Sequence, residues 1–391
     1  MTLSSEQLTR IVEAASISRV AREWTHPLYR YPASMSPHIA RAIITELSNP
    51  GDTILDPFCG GGTTAVEALA QGRRVICSDL NTLACFVTES KAVPLSRDQL
   101  AFVQDWVDSI TYPVRSYIRV KPAPLVTSDG ASYVPRSCGL LLAIRDSIET
   151  LGDGKVQRLA RLIVLRTGQV CFDCRQRALN PRVLLKAFRS VAHEAIGKMS
   201  EYSIQAERSG AHLQGRQAVQ VIHTDAENLD VVAGGRLKDV SLVLTSPPYP
   251  GMHVLYHRWQ FHGRKEVALP YQLLGVRDGA SESHYTLGSR LEQKNTTYFR
   301  RVNRIFSMLN TRLERGTRIV QLIAFSRPQS QLRRYLDAMR CAGLAGIGLT
   351  DTESAISRMV PNRKWYIRTA ARSPTRREYI LIHESTGRSE G

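Results

Sequence analysis

The chain has 391 residues, 43% apolar and 22% charged, ordinary globular values that exclude wholesale disorder and leave room for two or three domains. Its longest apolar runs, such as Leu140 to Ile144 and Val240 to Leu244, are far shorter than the roughly 20 residues of a membrane-spanning helix, so a soluble protein that makes no membrane contact is expected. The formal charge is +17, and it is unevenly spread. Residues 95–218 carry 18 basic and 11 acidic side chains and residues 250–391 carry 24 and 11, whereas 1–94 (8 and 9) and 219–249 (2 and 4) are close to neutral. Two basic stretches are the footprint of a polyanion-binding surface.

In chain order, the first thirty residues hold Glu6, Glu13 and Glu23 among polar residues, without the basic start and apolar core of a secretory signal, and a cytoplasmic location is expected. Short β-branched runs follow at Thr53 to Asp56, Val75 to Asp79, Val219 to Asp225, Val240 to Thr245, Ile319 to Phe325 and Tyr379 to His383, separated by helix-like stretches. Several end in an acidic or small polar residue, as strands do whose C-terminal ends line a ligand crevice, and this predicts a doubly wound α/β sheet. From Pro94 to about Gln217 the rhythm breaks: a helix over Arg97 to Ile110, a connector with Pro113, Pro122, Pro124 and Pro135, then long helical patterns. This reads as an inserted helical domain. The seven Cys are few and odd in number, and Cys77 and Cys85 sit in apolar runs, which suits reduced core thiols. Cys171-Phe172-Asp173-Cys174 has the spacing of half a zinc site, but with no matching second pair buried thiols and no metal are expected.

The first chemical motif is Asp56-Pro57-Phe58-Cys59-Gly60-Gly61-Gly62-Thr63-Thr64, between a strand and a helical pattern. Gly60, Gly62 and Ala65 fit the G-x-G-x-x-G/A turn, which lets a ligand approach the backbone at a helix N-terminus. A pyrophosphate would be repelled by the carboxylate of Asp56, and no Gly-Lys-Ser/Thr follows to make a P-loop. A ligand with an ammonium group and no phosphate, S-adenosylmethionine, would be attracted. Asp79 ends the next strand, where a carboxylate accepts hydrogen bonds from ribose hydroxyls. The alternative is a purely structural glycine turn.

The second motif is Leu244-Thr245-Ser246-Pro247-Pro248-Tyr249. Two prolines fix φ and remove donors, which leaves a rigid turn presenting carbonyl acceptors. The Ser246 hydroxyl and the Pro247 carbonyl can each accept one N–H of an exocyclic amine, turning the nitrogen lone pair toward an electrophilic methyl, with Tyr249 stacked on the base. Ser is not a strong base, so direct in-line transfer is inferred, with positioning supplying most of the rate. An ordinary turn ending a strand is the alternative.

Together the motifs resemble the DNA amino-methyltransferases, and an aliphatic residue before Thr-Ser-Pro-Pro-Tyr is similar to the signature of their N4-cytosine subgroup; N6-adenine enzymes more often hold Asp or Asn where Ser246 stands. The resemblance covers roughly 25 to 92 and 219 to 325. It implies a Rossmann-like class I methyltransferase fold, with a doubly wound, mostly parallel sheet and an inserted target-recognition domain. It divides the chain into a cofactor-binding half (1–94), the inserted basic helical part (95–218), and a catalytic half with a basic C-terminal part (219–391). It implies that Asp56, Pro57, Phe58, Cys59, Gly60, Gly62 and Thr63 cradle the methionine part of the cofactor, that Asp79 holds its ribose, and that Asp225 and Ala226 contact its adenine. Tyr31-Pro32-Ala33-Ser34-Met35 is loosely similar to the family's upstream cofactor motif. Double-stranded DNA is the implied partner, in restriction-modification or in phage or host DNA modification, and whether a restriction endonuclease accompanies the enzyme is not legible. No segment reads as a known recognition domain, and neither target sequence nor oligomeric state is legible.

A base inside a duplex has to be flipped out to react. His253, Tyr256, His257, Trp259, Phe261 and His262, among Arg258, Arg264 and Lys265, mix stacking surfaces with cations and suggest a mobile flank of the active site lying on the DNA; an aromatic core element is the competing reading. Arg358, Arg363, Lys364, Arg368, Arg372, Arg376 and Arg377 suggest a phosphate-binding rim or else a solvated hairpin. No Pro-Cys dipeptide occurs, which argues against the C5-cytosine enzymes. An N6-adenine enzyme, an RNA guanine-N2 methyltransferase and a catalytically silent regulator remain as alternatives.

Overall fold

The computed structural model describes residues 3–31, 34–111, 125–128, 130–133, 135–210, 218–250, 258–263, 265–276, 287–288, 292, 295–347, 355–359 and 377–387. Helix α1 (Ser5–Ser16) starts on a capping box in which Ser4 and Gln7 satisfy each other's backbone N–H groups, and α2 (Pro37–Leu47) starts on a proline. Strand β1 (Thr53–Asp56), α3 (Thr63–Ala70), β2 (Arg74–Asp79) and α4 (Thr82–Ala92) then form a continuous β-α-β-α run. Every residue of β1 and of α3 is buried, the polar Thr53, Asp56, Thr63, Thr64 and Glu67 included. The helical stretch comprises α5 (Arg97–Ser109), the two-residue strands β3 (Leu125–Val126) and β4 (Ser132–Tyr133), α6 (Arg136–Ser147), α7 (Gly154–Phe172) and α8 (Pro181–Arg208).

The chain returns to the sheet through β5 (Val219–His223), α9 (Leu229–Ala233) and β6 (Val240–Thr245). A small ribbon of β7 (Trp259–Phe261) and β8 (Lys265–Val267) leads to α10 (Leu269–Leu274), then α11 (Thr296–Arg312), β9 (Arg318–Ala324), α12 (Pro328–Cys341), β10 (Leu344–Gly346), β11 (Ala355–Met359) and β12 (Arg377–Ser385). Among the described residues no helix is long and apolar enough to cross a membrane.

The main sheet has the order β10-β12-β9-β6-β1-β2-β5, with β11 also on β12. Neighbours from β5 to β9 are parallel, and β12 runs antiparallel to β9, β10 and β11. This is the doubly wound, mostly parallel, Rossmann-like sheet the sequence predicts. Strand order reverses at β1, so a crevice opens where the C-terminal ends of β1 and β6 diverge. The six expected strands are present with ends shifted by one or two residues; β10 and β11 were not foreseen, because short edge strands carry too little alternation to read.

Alternating side chains feed two cores. Ile54, Leu242, Leu244, Val320 and Leu322 face α1 to α4 and the helical stretch, while Leu55, Val243, Ile319 and Ile323 face α9, α11 and α12. The helical stretch shares its core with the sheet: Val103, Trp106, Ile163 and Phe188 belong to the same apolar cluster as Ile39, Val66 and Val87. Hydrogen bonds cross the same seam, from the Tyr202 hydroxyl to the Ala92 carbonyl (2.9 Å) and from Gln205 Nε2 to the Ala70 carbonyl (2.8 Å).

The expectation that Trp259 and Phe261 lie on DNA is corrected here. Both are 3% exposed. Trp259 donates its indole N–H to the Tyr29 hydroxyl (3.1 Å), and Phe261 packs against Phe172 and Tyr133. Gly168 on α7 makes the seat, since a Cβ there would lie 2.7 Å from the Trp259 ring. Arg258 is half-buried and His262 is exposed, while His253, Tyr256, His257 and Arg264 lie outside the described residues. Cys171 is buried but Cys174 is exposed, contrary to expectation, because Cys174 follows the end of α7 on the surface.

Candidate active site

Asp56 closes β1 with its carboxylate buried. Its Oδ1 accepts from the Thr245 hydroxyl (2.7 Å) and the Phe58 amide (3.1 Å). Burial raises its pKa to about 6, against the lowering effect of these donors and of Thr64. The backbone then turns sharply: Cys59 N–H donates to the Ser78 carbonyl (2.9 Å) and Gly62 N–H to the Cys59 carbonyl (2.8 Å). Gly60 (φ 49°) and Gly62 (φ 78°) adopt the left-handed conformation that favours glycine. The loop is also tightly enclosed, since a Cβ on Gly61 would lie 2.8 Å from Tyr31 Cβ and one on Gly62 2.9 Å from Thr88 Cα. Lys91, buried in α4, donates to the Gly61 carbonyl from beneath (2.8 Å), and burial pushes its pKa down to about 7.

Asp79 closes β2 in the neighbouring register. It accepts from the Gly60 amide (3.0 Å) and the Asn81 amide (2.8 Å), and burial raises its pKa to about 6. Past β5, Asp225 caps a short turn through the Glu227 amide (3.0 Å) and accepts from Arg301 Nη2 (2.7 Å). Arg301 of α11 also binds Glu227.

The second motif follows β6, which lies between β1 and β9. The Thr245–Asp56 bond, with Thr64 Oγ1 donating to the Leu244 carbonyl (3.3 Å), fastens this turn to the glycine loop. The Tyr298 hydroxyl donates to the Pro248 carbonyl (2.8 Å). Ser246 Oγ lies 3.5 Å from the Tyr249 hydroxyl, which donates to Glu378 of β12 (2.8 Å).

One cavity collects these groups. Asp56, Pro57, Phe58, Cys59, Gly60, Thr63, Asp79, Asp225, Ala226, Ser246 and Pro248 line it, as do Tyr31, Ser34 and Met35 of the upstream segment. Gly62, Pro247 and Tyr249 are not in the lining: Gly62 backs onto Thr88, and Tyr249 is 7% exposed behind the turn. Pro32 and Ala33 lie outside the described residues. Sequence reasoning missed Asn81, Leu287 and Arg301, which also line it. Asn81 had a signal, as a helix cap right after a strand. Arg301 had none, standing 76 residues from its partner Asp225.

Among the described residues the cavity's ionisable lining is Asp56, Asp79, Asp225 and one cation, Arg301, which is held by Asp225 and Glu227. The balance is acidic, so the site suits a ligand carrying positive charge and disfavours a phosphate. The expected phosphate rim loses Arg358, whose guanidinium binds the buried Glu378 and is 12% exposed. Arg377 is exposed, and Arg363, Lys364, Arg368, Arg372 and Arg376 lie outside the described residues. No group of three or more metal-ligating side chains occurs among the described residues.

Residues 4–89 match the N6_N4_Mtase family model, described as a DNA methylase. A type II methyltransferase, M.MvaI of Kocuria varians, is 33% identical over 97 residues, which is 24% of this chain and 21% of that protein. The DNA adenine methyltransferase YhdJ of Escherichia coli is 37% identical over 67 residues (15% and 23%). A tRNA (guanine(10)-N2)-dimethyltransferase of Methanothermobacter thermautotrophicus is 46% identical over 63 residues (16% and 18%). Each match spans about a fifth of the relative's length. The similarity to DNA methylases of the N4/N6 group is thus established over residues 4–89.

Proposed function

We propose that this protein transfers a methyl group from S-adenosylmethionine to the exocyclic N4 amine of a cytosine flipped out of double-stranded DNA. The observation that carries this reading is the joining of the two motifs in one acidic cavity, with the Thr245 hydroxyl 2.7 Å from Asp56 Oδ1. The cofactor fits on chemical grounds. The cavity holds buried carboxylates for its ammonium group and ribose, its one lining cation among the described residues is already paired, and the glycine loop leaves backbone bare at the start of α3.

When bound, S-adenosylmethionine supplies an electrophilic methyl on a sulfonium. Asp56 and the loop from Pro57 to Thr63 hold its methionine end, Asp79 accepts from the ribose hydroxyls, and Asp225 and Ala226 border the adenine. Ser246 and the Pro247 carbonyl accept the two N–H bonds of the target amine, so that its lone pair faces the methyl. Held groups at fixed distance supply most of the acceleration, because a bimolecular encounter becomes a unimolecular step. Transfer would leave the neutral thioether and a cationic methylated nitrogen, which then loses one N–H proton to solvent water. The basic stretch 95–218 is read as target recognition, the half-buried Arg258 and exposed Arg377 as phosphate contacts, and the setting as cytoplasmic modification of DNA, in restriction-modification or in phage or host DNA modification.

The test is incubation with unmethylated DNA and labelled S-adenosylmethionine, digestion to nucleosides and mass spectrometry. N4-methylcytosine is expected. N6-methyladenine would keep the site and transfer the choice of base away from Ser246, and label found only in RNA would replace the DNA reading.

A further inference from the structure

Two charged side chains behind the catalytic turn have no task in the reading above. Glu378 is 1% exposed, and strand register sets it directly opposite Arg358 of β11. Its Oε2 accepts from Arg358 Nε (2.7 Å) and Nη2 (2.6 Å), and its Oε1 accepts from the Tyr249 hydroxyl (2.8 Å). A carboxylate held by a guanidinium has only lone pairs to offer. Tyr249 therefore spends its single proton on Glu378 and turns a lone pair toward Ser246, whose Oγ is 3.5 Å away. That distance is beyond the roughly 2.5–3.0 Å of a formed O–H···O bond, so in the free protein the two hydroxyls are in contact and the link would close when substrate engages. Ser246 then donates into this chain, and the face it turns to the cavity is acceptor only.

This matters because a serine hydroxyl is a free rotor. A Ser246 proton aimed at the amine would hydrogen-bond the nitrogen lone pair that has to attack. We propose that Glu378, fixed by Arg358, is a positioning residue that sets the polarity of Ser246 through Tyr249, so that the turn accepts N–H and leaves the nitrogen lone pair unengaged. The inference rests on the amine-methylation reading for its purpose, and on the geometry alone for its direction.

Glu378→Gln tests it with almost no change of shape. Arg358 claims the amide oxygen, the NH2 then faces Tyr249, and the chain reverses, so that Ser246 points its proton into the cavity. The variant is expected to lower kcat about 100-fold, comparable to the loss of one preorganised hydrogen bond, with cofactor affinity by calorimetry unchanged and the melting temperature lowered because Arg358 loses its buried counterion. In a Tyr249→Phe background the same change should cost less than about 3-fold, because the link is already cut. Adding Arg358→Met to Glu378→Gln lets the amide turn its oxygen to Tyr249 and should recover about 10-fold. Wild-type kcat in Glu378→Gln, or an equal loss with Phe at 249, overturns the proposal. A difference Raman spectrum against Tyr249→Phe isolates the Tyr249 ring and reports whether its hydroxyl donates. A spectrum dominated by donation to a carboxylate in wild type that shifts toward an accepting hydroxyl in Glu378→Gln, where the amide NH2 donates to Tyr249, supports the chain, and an unchanged signature overturns it. If wild type makes no methylcytosine, the functional reading falls, and the Raman result still decides the polarity.

Discussion

The two ends of the cavity hold their buried carboxylates differently. Asp56 and Asp79 are surrounded by neutral donors, hydroxyls and amides, and burial raises both to a pKa of about 6. Glu378, behind the other end, is bound by a guanidinium. A carboxylate without a cation at hand keeps its attraction for one and waits for a ligand to supply it. A carboxylate already matched has none left over and serves as a fixed acceptor. Burial of an acid thus marks a binding site only when its counterion is missing.

The largest way to break this comparison is Asp56→Ala, expected to weaken S-adenosylmethionine binding by about 100-fold or more, the scale for removing a buried charged partner. Unchanged affinity by calorimetry would remove Asp56 from the site. Tyr249→Ala should lower turnover about 100-fold while DNA affinity changes less than about 3-fold. Equal losses in both would make Tyr249 a plain structural residue. Asp79→Asn keeps the shape and the acceptor oxygen but not the charge, and should weaken the cofactor about 10-fold, seen as a shift in KM rather than kcat.

The pH dependence sharpens the contrast. Since Asp56 and Asp79 titrate near 6 in the free protein, a cationic ligand should bind progressively less well as pH falls through about 6, and binding there should release protons, visible as a buffer-dependent enthalpy. The sign for stability is the reverse of a salt-bridged acid. With folded pKa values raised above the unfolded one near 3.9, the free protein binds more protons than the unfolded chain between about pH 4 and 6. Stability should therefore drop as pH rises through that window, by on the order of 2 kcal/mol per carboxylate, and saturating cofactor should restore it. A melting temperature that does not fall between pH 4.5 and 6.5 in the absence of cofactor would contradict the raised values.

Legibility followed locality. The glycine loop and the Ser-Pro-Pro-Tyr turn were readable because each strand, its turn and its chemistry lie within about ten residues, and the doubly wound sheet was readable from short β-branched runs alternating with helix-like stretches. Arg301 and Glu378 were not, since they meet Asp225 and Tyr249 across 76 and 129 residues. Trp259 and Phe261 misled because an aromatic run among cations looks the same whether it covers nucleic acid or a helix. The deciding residue, Gly168, lies on another element, and its missing side chain makes room for the ring.

The shared core between the helical stretch and the sheet limits how such a protein can diversify. Helices α5 to α8 close the apolar face left by α1 to α4, and α8 is tied back to Ala70 and Ala92. A chimera that exchanges this stretch with a relative's would strip one wall from the sheet. New preferences are better sought by altering its outward-facing side chains, among them Lys186, Glu194 and Arg182, than by transplanting the whole segment.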